Sequence, residues 1–134
     1  MEATVPDKLK RTIFVVDNEP IIVETSKIIL DRFGFCSQVF TNPLDALQTA
    51  DSECPDFLLS DVVMPELNGI YLAIKFCERC PKCRILLFSG QTETSLLLES
   101  AREAGHHFPV LAKPVHPIEL LVAIKALSLP DEQY

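Results

Sequence analysis

The chain has 134 residues, of which 48% are hydrophobic and 23% charged, and its formal net charge is −7. This length and composition predict one globular domain with a sizeable core and exclude a disordered chain or a coiled coil. The acidic balance argues against direct contact of this domain with nucleic acid, and no apolar run approaches the roughly 20 residues that span a bilayer.

Both ends of the chain are polar and carry a proline. Residues 1–10 are expected to form a disordered lead-in and residues 129–134 a polar tail, on either side of a single domain over residues 11–128. The first residues lack the basic and apolar regions of a signal peptide, so we expect a cytoplasmic protein without a membrane partner.

Five apolar, strand-like runs alternate with five segments of helical periodicity. The predicted strands are 12–16, 36–40, 57–60, 84–88 and 108–112. The predicted helices are 20–33, 43–50, 70–80, 92 or 94 to 104, and 118–127. Prolines at first helical positions and glycines after last ones support these bounds, as at Pro20 and Gly34.

This alternation predicts an α/β fold in which helices cover both faces of a five-stranded parallel sheet. Right-handed crossovers leave two doubly wound strand orders open, a Rossmann-like order and the flavodoxin-like order 2-1-3-4-5. No internal repeat, low-complexity tract or second domain is visible in the sequence.

Chemically active side chains follow the predicted strands at their carboxyl ends, which meet at one edge of a parallel sheet. Strand one ends on Asp17-Asn18-Glu19, strand three on Asp61, strand four on Ser89-Gly90 and strand five on Lys113-Pro114. Clustered carboxylates repel each other unless a hard cation such as Mg²⁺ shares them. A carboxylate can attack phosphorus, and an ammonium and a hydroxyl can neutralise the transferred group. The pattern therefore favours phosphoryl chemistry at Asp61.

The sequence resembles the receiver domain of two-component response regulators over about residues 11–128. Four ordered motifs carry the resemblance: FVVDNEP at 14–20, DVVMPELNG at 61–69, LFSG at 87–90, and Lys113-Pro114. The resemblance implies a (βα)₅ fold with the flavodoxin-like order, and a sensor histidine kinase as the partner whose phosphohistidine phosphorylates Asp61.

The resemblance also implies a role for each residue at the sheet edge. Asp17, Asn18, Asp61 and the backbone carbonyl of Val63 would hold Mg²⁺. Ser89 and Lys113 would contact the phosphoryl group. The Lys113–Pro114 peptide bond would be cis, which proline makes accessible.

Two positions depart from the family pattern. Asn18 stands where the family usually has a second acid, so it brings an oxygen ligand without a charge, and weaker Mg²⁺ binding is our hypothesis. Val110 stands where the family often has an aromatic ring that swings on phosphorylation. Both departures favour an alternative, a pseudo-receiver that acts as an interaction module with weak or no phosphorylation. A flavin protein or phosphohydrolase is disfavoured because no glycine-rich phosphate loop or nucleotide motif is present.

The five cysteines are an odd number, which disfavours a closed disulfide framework. Cys77, Cys80 and Cys83 have the spacing of metal-binding thiolates, but no fourth ligand lies nearby in sequence. Small, partly buried thiols at a helix end are the favoured interpretation. The three histidines, His106, His107 and His116, are expected to be solvated or capping residues.

The segment 92–128 would form the output face, if the family pattern holds, and it would contact an effector or a second copy of the chain. Leu96, Leu97 and Leu98 are consecutive, and one helix face cannot bury all three. At least one of them is therefore expected to be exposed or in an interface.

Overall fold

A computed structural model describes residues 11–90 and 94–128. The strands are β1 (Thr12–Val16), β2 (Cys36–Phe40), β3 (Phe57–Asp61), β4 (Arg84–Ser89) and β5 (Val110–Ala112). The helices are α1 (Pro20–Arg32), α2 (Pro43–Ala50), α3 (Gly69–Arg79), α4 (Thr94–Glu103) and α5 (Pro117–Ser128). The expected lead-in 1–10, the tail 129–134 and a helix start at Thr92 lie outside the described residues. In the part that is described, none of the helices is long and apolar enough to cross a membrane.

The five strands are parallel and lie in the order β2-β1-β3-β4-β5. This confirms the flavodoxin-like order and excludes the Rossmann-like alternative. Side chains alternate between the two faces of the sheet, and helices cover both faces, so the central strands are apolar over most of their length. Phe14 and Leu58 pack under α2, α3 and α4, whereas Ile13 and Leu59 pack under α1 and α5.

Helix α1 buries part of its apolar surface and exposes the rest. Val23 and Leu30, seven positions apart, are the buried side chains of this helix. Ile21 is 73% exposed, and Ile28 and Phe33 are also exposed. The apolar side chains of α1 therefore lie on two faces of the helix. The face with Val23 and Leu30 packs against the sheet and is buried.

The last strand is shorter than the predicted 108–112 and begins at Val110. Pro109 has no N–H group to donate to the sheet, although its carbonyl accepts a bond from Leu87 N at 3.0 Å. Leu97 on α4 is exposed while Leu98 packs against the core, which confirms that consecutive leucines cannot share one buried face. The side chain of Leu96 lies outside the described residues.

Cys54 and Cys80 form a disulfide, and Cys36, Cys77 and Cys83 are free. The sequence predicted no closed disulfide framework, and three cysteines are free, but the interpretation of Cys80 as a free thiol at the end of α3 was wrong. The two partners are separated by 26 positions, and only the packing of α2 against α3 brings them together. Cys80 is thereby removed from a thiolate set with its neighbours at 77 and 83. Within residues 11–90 and 94–128, no three histidine, cysteine or acidic side chains are grouped to hold a metal.

Candidate functional site

Strand register brings the predicted residues to one edge of the sheet. Val16 pairs with Ser60, so Asp17 and Asp61 follow at the same level on adjacent strands. Ser89 pairs with Ala112, which places Lys113 immediately beyond it, and Lys113 N donates to the Ser89 carbonyl at 3.1 Å. The carboxyl ends of β1, β3, β4 and β5 therefore converge as the sequence predicted.

The ammonium of Lys113 contacts both carboxylates. Its Nζ lies 3.0 Å from Asp17 Oδ2 and 3.1 Å from Asp61 Oδ2. Asp17 Oδ1 accepts a further bond from Glu19 N at 3.0 Å. Asp17 is 1% exposed and Asp61 is 8% exposed, so both charges need these partners to offset desolvation.

The two carboxylates also change the titration of the lysine. Burial by itself disfavours the ammonium, but hydrogen bonds and Coulombic attraction from Asp17 and Asp61 outweigh it and raise the pKa of Lys113. Lys113 is therefore a fixed positive charge at neutral pH.

A polar cavity of about 470 Å³ lies beside Asp61. It is lined by Asn18, Glu19, Asp61, Val63, Gly90 and Lys113. Asp17 is not among the lining residues, but it contacts Lys113, which is. Carboxylate, amide and backbone carbonyl oxygens are hard donors, and the lining contains no thiol or imidazole. This donor chemistry fits Mg²⁺.

The loop after Asp61 is held against the sheet by backbone contacts. Val62 N donates to Phe88 O at 3.0 Å, and Gly69 N donates to Val62 O at 2.7 Å. A Cβ atom at position 69 would overlap the Asp61 carbonyl oxygen. Asn68 caps α3 by accepting a bond from Tyr71 N at 2.8 Å. The motif at 61–69 ends on Gly69, but the sequence did not reveal that Gly69 touches the backbone of Asp61.

Ser89 and Val110, two further positions named from the sequence, are both partly buried. Ser89 lies at the end of β4, next to Gly90, which lines the cavity and to which the sequence assigned no role. Val110 is partly buried and packs with Leu98 and Phe108 against the core on the α4 side of the sheet. The Lys113–Pro114 bond is cis, as the resemblance implied.

Comparison with known proteins gives matches over most of the chain. The family model "Response regulator receiver domain" matches residues 13–125. The response regulator receiver protein CpdR of Brucella abortus is 32% identical, over 75% of this chain and 82% of that protein. The positive alginate biosynthesis regulatory protein of Pseudomonas aeruginosa is 30% identical, over 89% of this chain and 48% of that protein.

A solved structure agrees with these matches. The response regulator protein TrrA of Thermotoga maritima, in complex with Mg²⁺-BeF, is 26% identical with a TM-score of 0.75, covering 87% of this chain and 98% of that chain. This chain spans only 27% to 51% of the length of three of the curated relatives that it matches.

Proposed function

The chain belongs to the response regulator receiver domain family, and we propose that Asp61 is its phosphoacceptor, which takes a phosphoryl group from the phosphohistidine of a sensor histidine kinase. The observation that carries the proposal is the contact of Lys113 Nζ with both Asp17 and Asp61 at one sheet edge. A carboxylate held beside a fixed cation, in a cavity lined by oxygen donors, has the partners that phosphoryl transfer requires.

In the proposed step, Asp61 Oδ1 attacks the phosphorus atom while Lys113 holds Oδ2. A bond forms between Oδ1 and phosphorus, and the phosphorus–nitrogen bond breaks with its electron pair leaving on the donor histidine. The product is an acyl phosphate on Asp61. Lys113 then shifts its hydrogen bond toward the phosphoryl oxygens, and the Ser89 hydroxyl donates to another of them.

Mg²⁺ is the cofactor that the donor set supports, with Asp17, Asn18, Asp61 and the Val63 carbonyl as its ligands. When bound, it would neutralise charge on the phosphoryl oxygens. The residues of the chain provide the rest: Lys113 supplies one fixed positive charge, and Asp17 keeps that charge in place.

Asn18→Asp is expected to bind Mg²⁺ about tenfold more tightly, because it adds a carboxylate to the exposed side of the same cavity. Calorimetric titration of both proteins with MgCl₂ measures the difference without any phosphoryl donor. Asp45→Asn, at an exposed position of α2 outside the cavity, is the control and should bind Mg²⁺ like the wild type. Equal affinity of Asn18→Asp and wild type would contradict a metal at this position.

The proposed function is tested with acetyl phosphate, a small phosphoryl donor, and saturating Mg²⁺. The wild type is expected to gain the mass of one phosphoryl group, and Asp61→Asn none, because an amide is not a nucleophile toward phosphorus. Asp45→Asn should be phosphorylated like the wild type. No gain on the wild type would favour the pseudo-receiver, in which the same fold acts only through contacts with partners.

Two surfaces support the proposed partners. A mainly apolar cleft of about 470 Å³ lies between α1 and α5 and is lined in part by Ile21, Ile29 and Leu120. It shares Gly90 and Lys113 with the polar cavity beside Asp61. A kinase that delivers phosphate to Asp61 would cover this cleft. On the 92–128 face, exposed apolar side chains at Leu97, Ile118 and Val122 support contact with an effector or a second copy of the chain.

A further inference from the structure

The Cys54–Cys80 disulfide plays no part in the proposed phosphoryl transfer. Cys54 is exposed just before β3, whereas Cys80 is 2% exposed directly after α3. The bond closes a chain segment that contains β3, Asp61, the loop after it and α3. We propose that this bond is a reversible thiol–disulfide site, reduced by small thiols and re-formed by small disulfides, whose state sets the stability of the segment that carries Asp61.

Cys54 is exposed and Cys80 is buried, so a small thiol in solution attacks the sulfur of Cys54. The thiolate of a small thiol attacks Sγ of exposed Cys54, the sulfur–sulfur bond breaks, and the electron pair leaves on Sγ of Cys80, which takes up a proton. A second small thiol then displaces Cys54 from the mixed disulfide. Two small thiols become one disulfide, and the protein gains two thiols.

The reduced form is also accommodated by its surroundings. Cys54 Sγ lies 3.6 Å from the Arg79 carbonyl oxygen and 3.8 Å from the Ala50 carbonyl oxygen. After reduction, the thiol has these acceptors within reach. Cys80 is part of the apolar core, where a buried thiol behaves as a small hydrophobic group.

A second link keeps the two sulfurs close when the bond is open. Arg79 Nη1 donates to Leu47 O at 3.3 Å and to Asp51 Oδ1 at 3.2 Å, which joins the end of α3 to the end of α2. Cys80 follows Arg79 in the chain, and Cys54 follows α2 by a few residues. The pair therefore stays positioned for re-formation, with Cα atoms 5.7 Å apart in the bonded state.

The neighbouring thiols are poor competitors in exchange. Burial, and then the charges of Cys77 and Asp56, raise the pKa of Cys83 to about 12. Burial, and then the charge of Glu78, raise the pKa of Cys77. Because the thiolate is the nucleophile, both groups remain largely unreactive at neutral pH. Cys77 and Cys83 therefore compete little with the Cys54–Cys80 pair, and the free Cys36 is tested separately by substitution.

The experiment counts thiols and measures stability in the full chain. After oxidation with glutathione disulfide, alkylation in denaturant should modify three cysteines, and peptide mapping should find the bond between 54 and 80. Incubation of the native protein with excess reduced glutathione should raise the count to five. The thermal midpoint should fall by about 10 °C on reduction, because opening the closed segment releases entropy in the unfolded chain.

Two variants make the result specific. Cys54→Ser, at an exposed position that tolerates serine, should show the midpoint of the reduced wild type and ignore glutathione. Cys36→Ser, which removes a free thiol, should keep the full glutathione-dependent shift. The proposal is overturned if oxidised wild type has five reactive thiols, if the bond joins other cysteines, if native protein resists glutathione, or if reduction leaves the midpoint unchanged.

Discussion

Gly69→Ala is expected to lower the free energy of unfolding by about 3 kcal/mol, the upper part of the range for overpacking. The added Cβ would overlap the carbonyl oxygen of Asp61, a backbone atom that cannot rotate away. Alanine is the better helix former by about 1 kcal/mol, so the steric term must exceed that gain. Urea unfolding followed by circular dichroism measures the change.

Gly34→Ala is the matched control for Gly69→Ala. Gly34 has φ +93°, and a Cβ there would meet no atom within 4 Å. Its substitution therefore carries only the cost of a left-handed backbone, about 1–2 kcal/mol. If Gly69→Ala were as stable as the wild type, the close approach of α3 to Asp61 would be wrong. Because relief of the overlap moves the Asp61 backbone, Gly69→Ala should also be phosphorylated more slowly than Gly34→Ala.

Lys113→Met is expected to cost about 2–3 kcal/mol of stability at neutral pH and to slow phosphorylation of Asp61 strongly. Methionine keeps most of the side-chain volume but leaves the buried carboxylates of Asp17 and Asp61 without their shared cation, and breaking a buried ion pair is costly. The estimate is reduced because Lys113 is 26% exposed, so water screens part of the interaction. Urea unfolding and the acetyl phosphate assay measure the two effects.

The pH dependence of this difference has a definite sign. The pKa of Lys113 is raised in the folded protein, so its contribution is fully present below the unfolded value of 10.5 and is lost as the pH rises through the higher folded value. The stability gap between wild type and Lys113→Met should therefore close above about pH 10.5. Lys75→Met is the control, because Lys75 lies 3.9 Å from exposed Glu78 and its loss should cost about 0.5 kcal/mol or less. Equal losses for the two variants would contradict the role given to Lys113.

Local patterns in the sequence were sufficient to predict the elements and the chemistry at their ends. Apolar runs that stop on Asp17, Asp61 and Lys113 predicted parallel strands whose carboxyl ends share one edge, and the structure confirms that these three residues meet there. The residues alone left two strand orders open, and resemblance to the family favoured the correct one. Glycine after the last helical residue, as at Gly34, predicted where a helix ends, and the structure gives Gly34 the left-handed backbone that favours glycine.

Contacts between distant segments were decided only by the tertiary structure. The buried stripe of α1, the disulfide between Cys54 and Cys80, and the approach of Gly69 to Asp61 all join surfaces that no local periodicity pairs. Periodicity reports which residues share a face of one element, whereas the partner of that face depends on how whole elements pack. The sequence by itself therefore determined which groups reach the sheet edge, and packing decided that Lys113 joins Asp17 to Asp61 there.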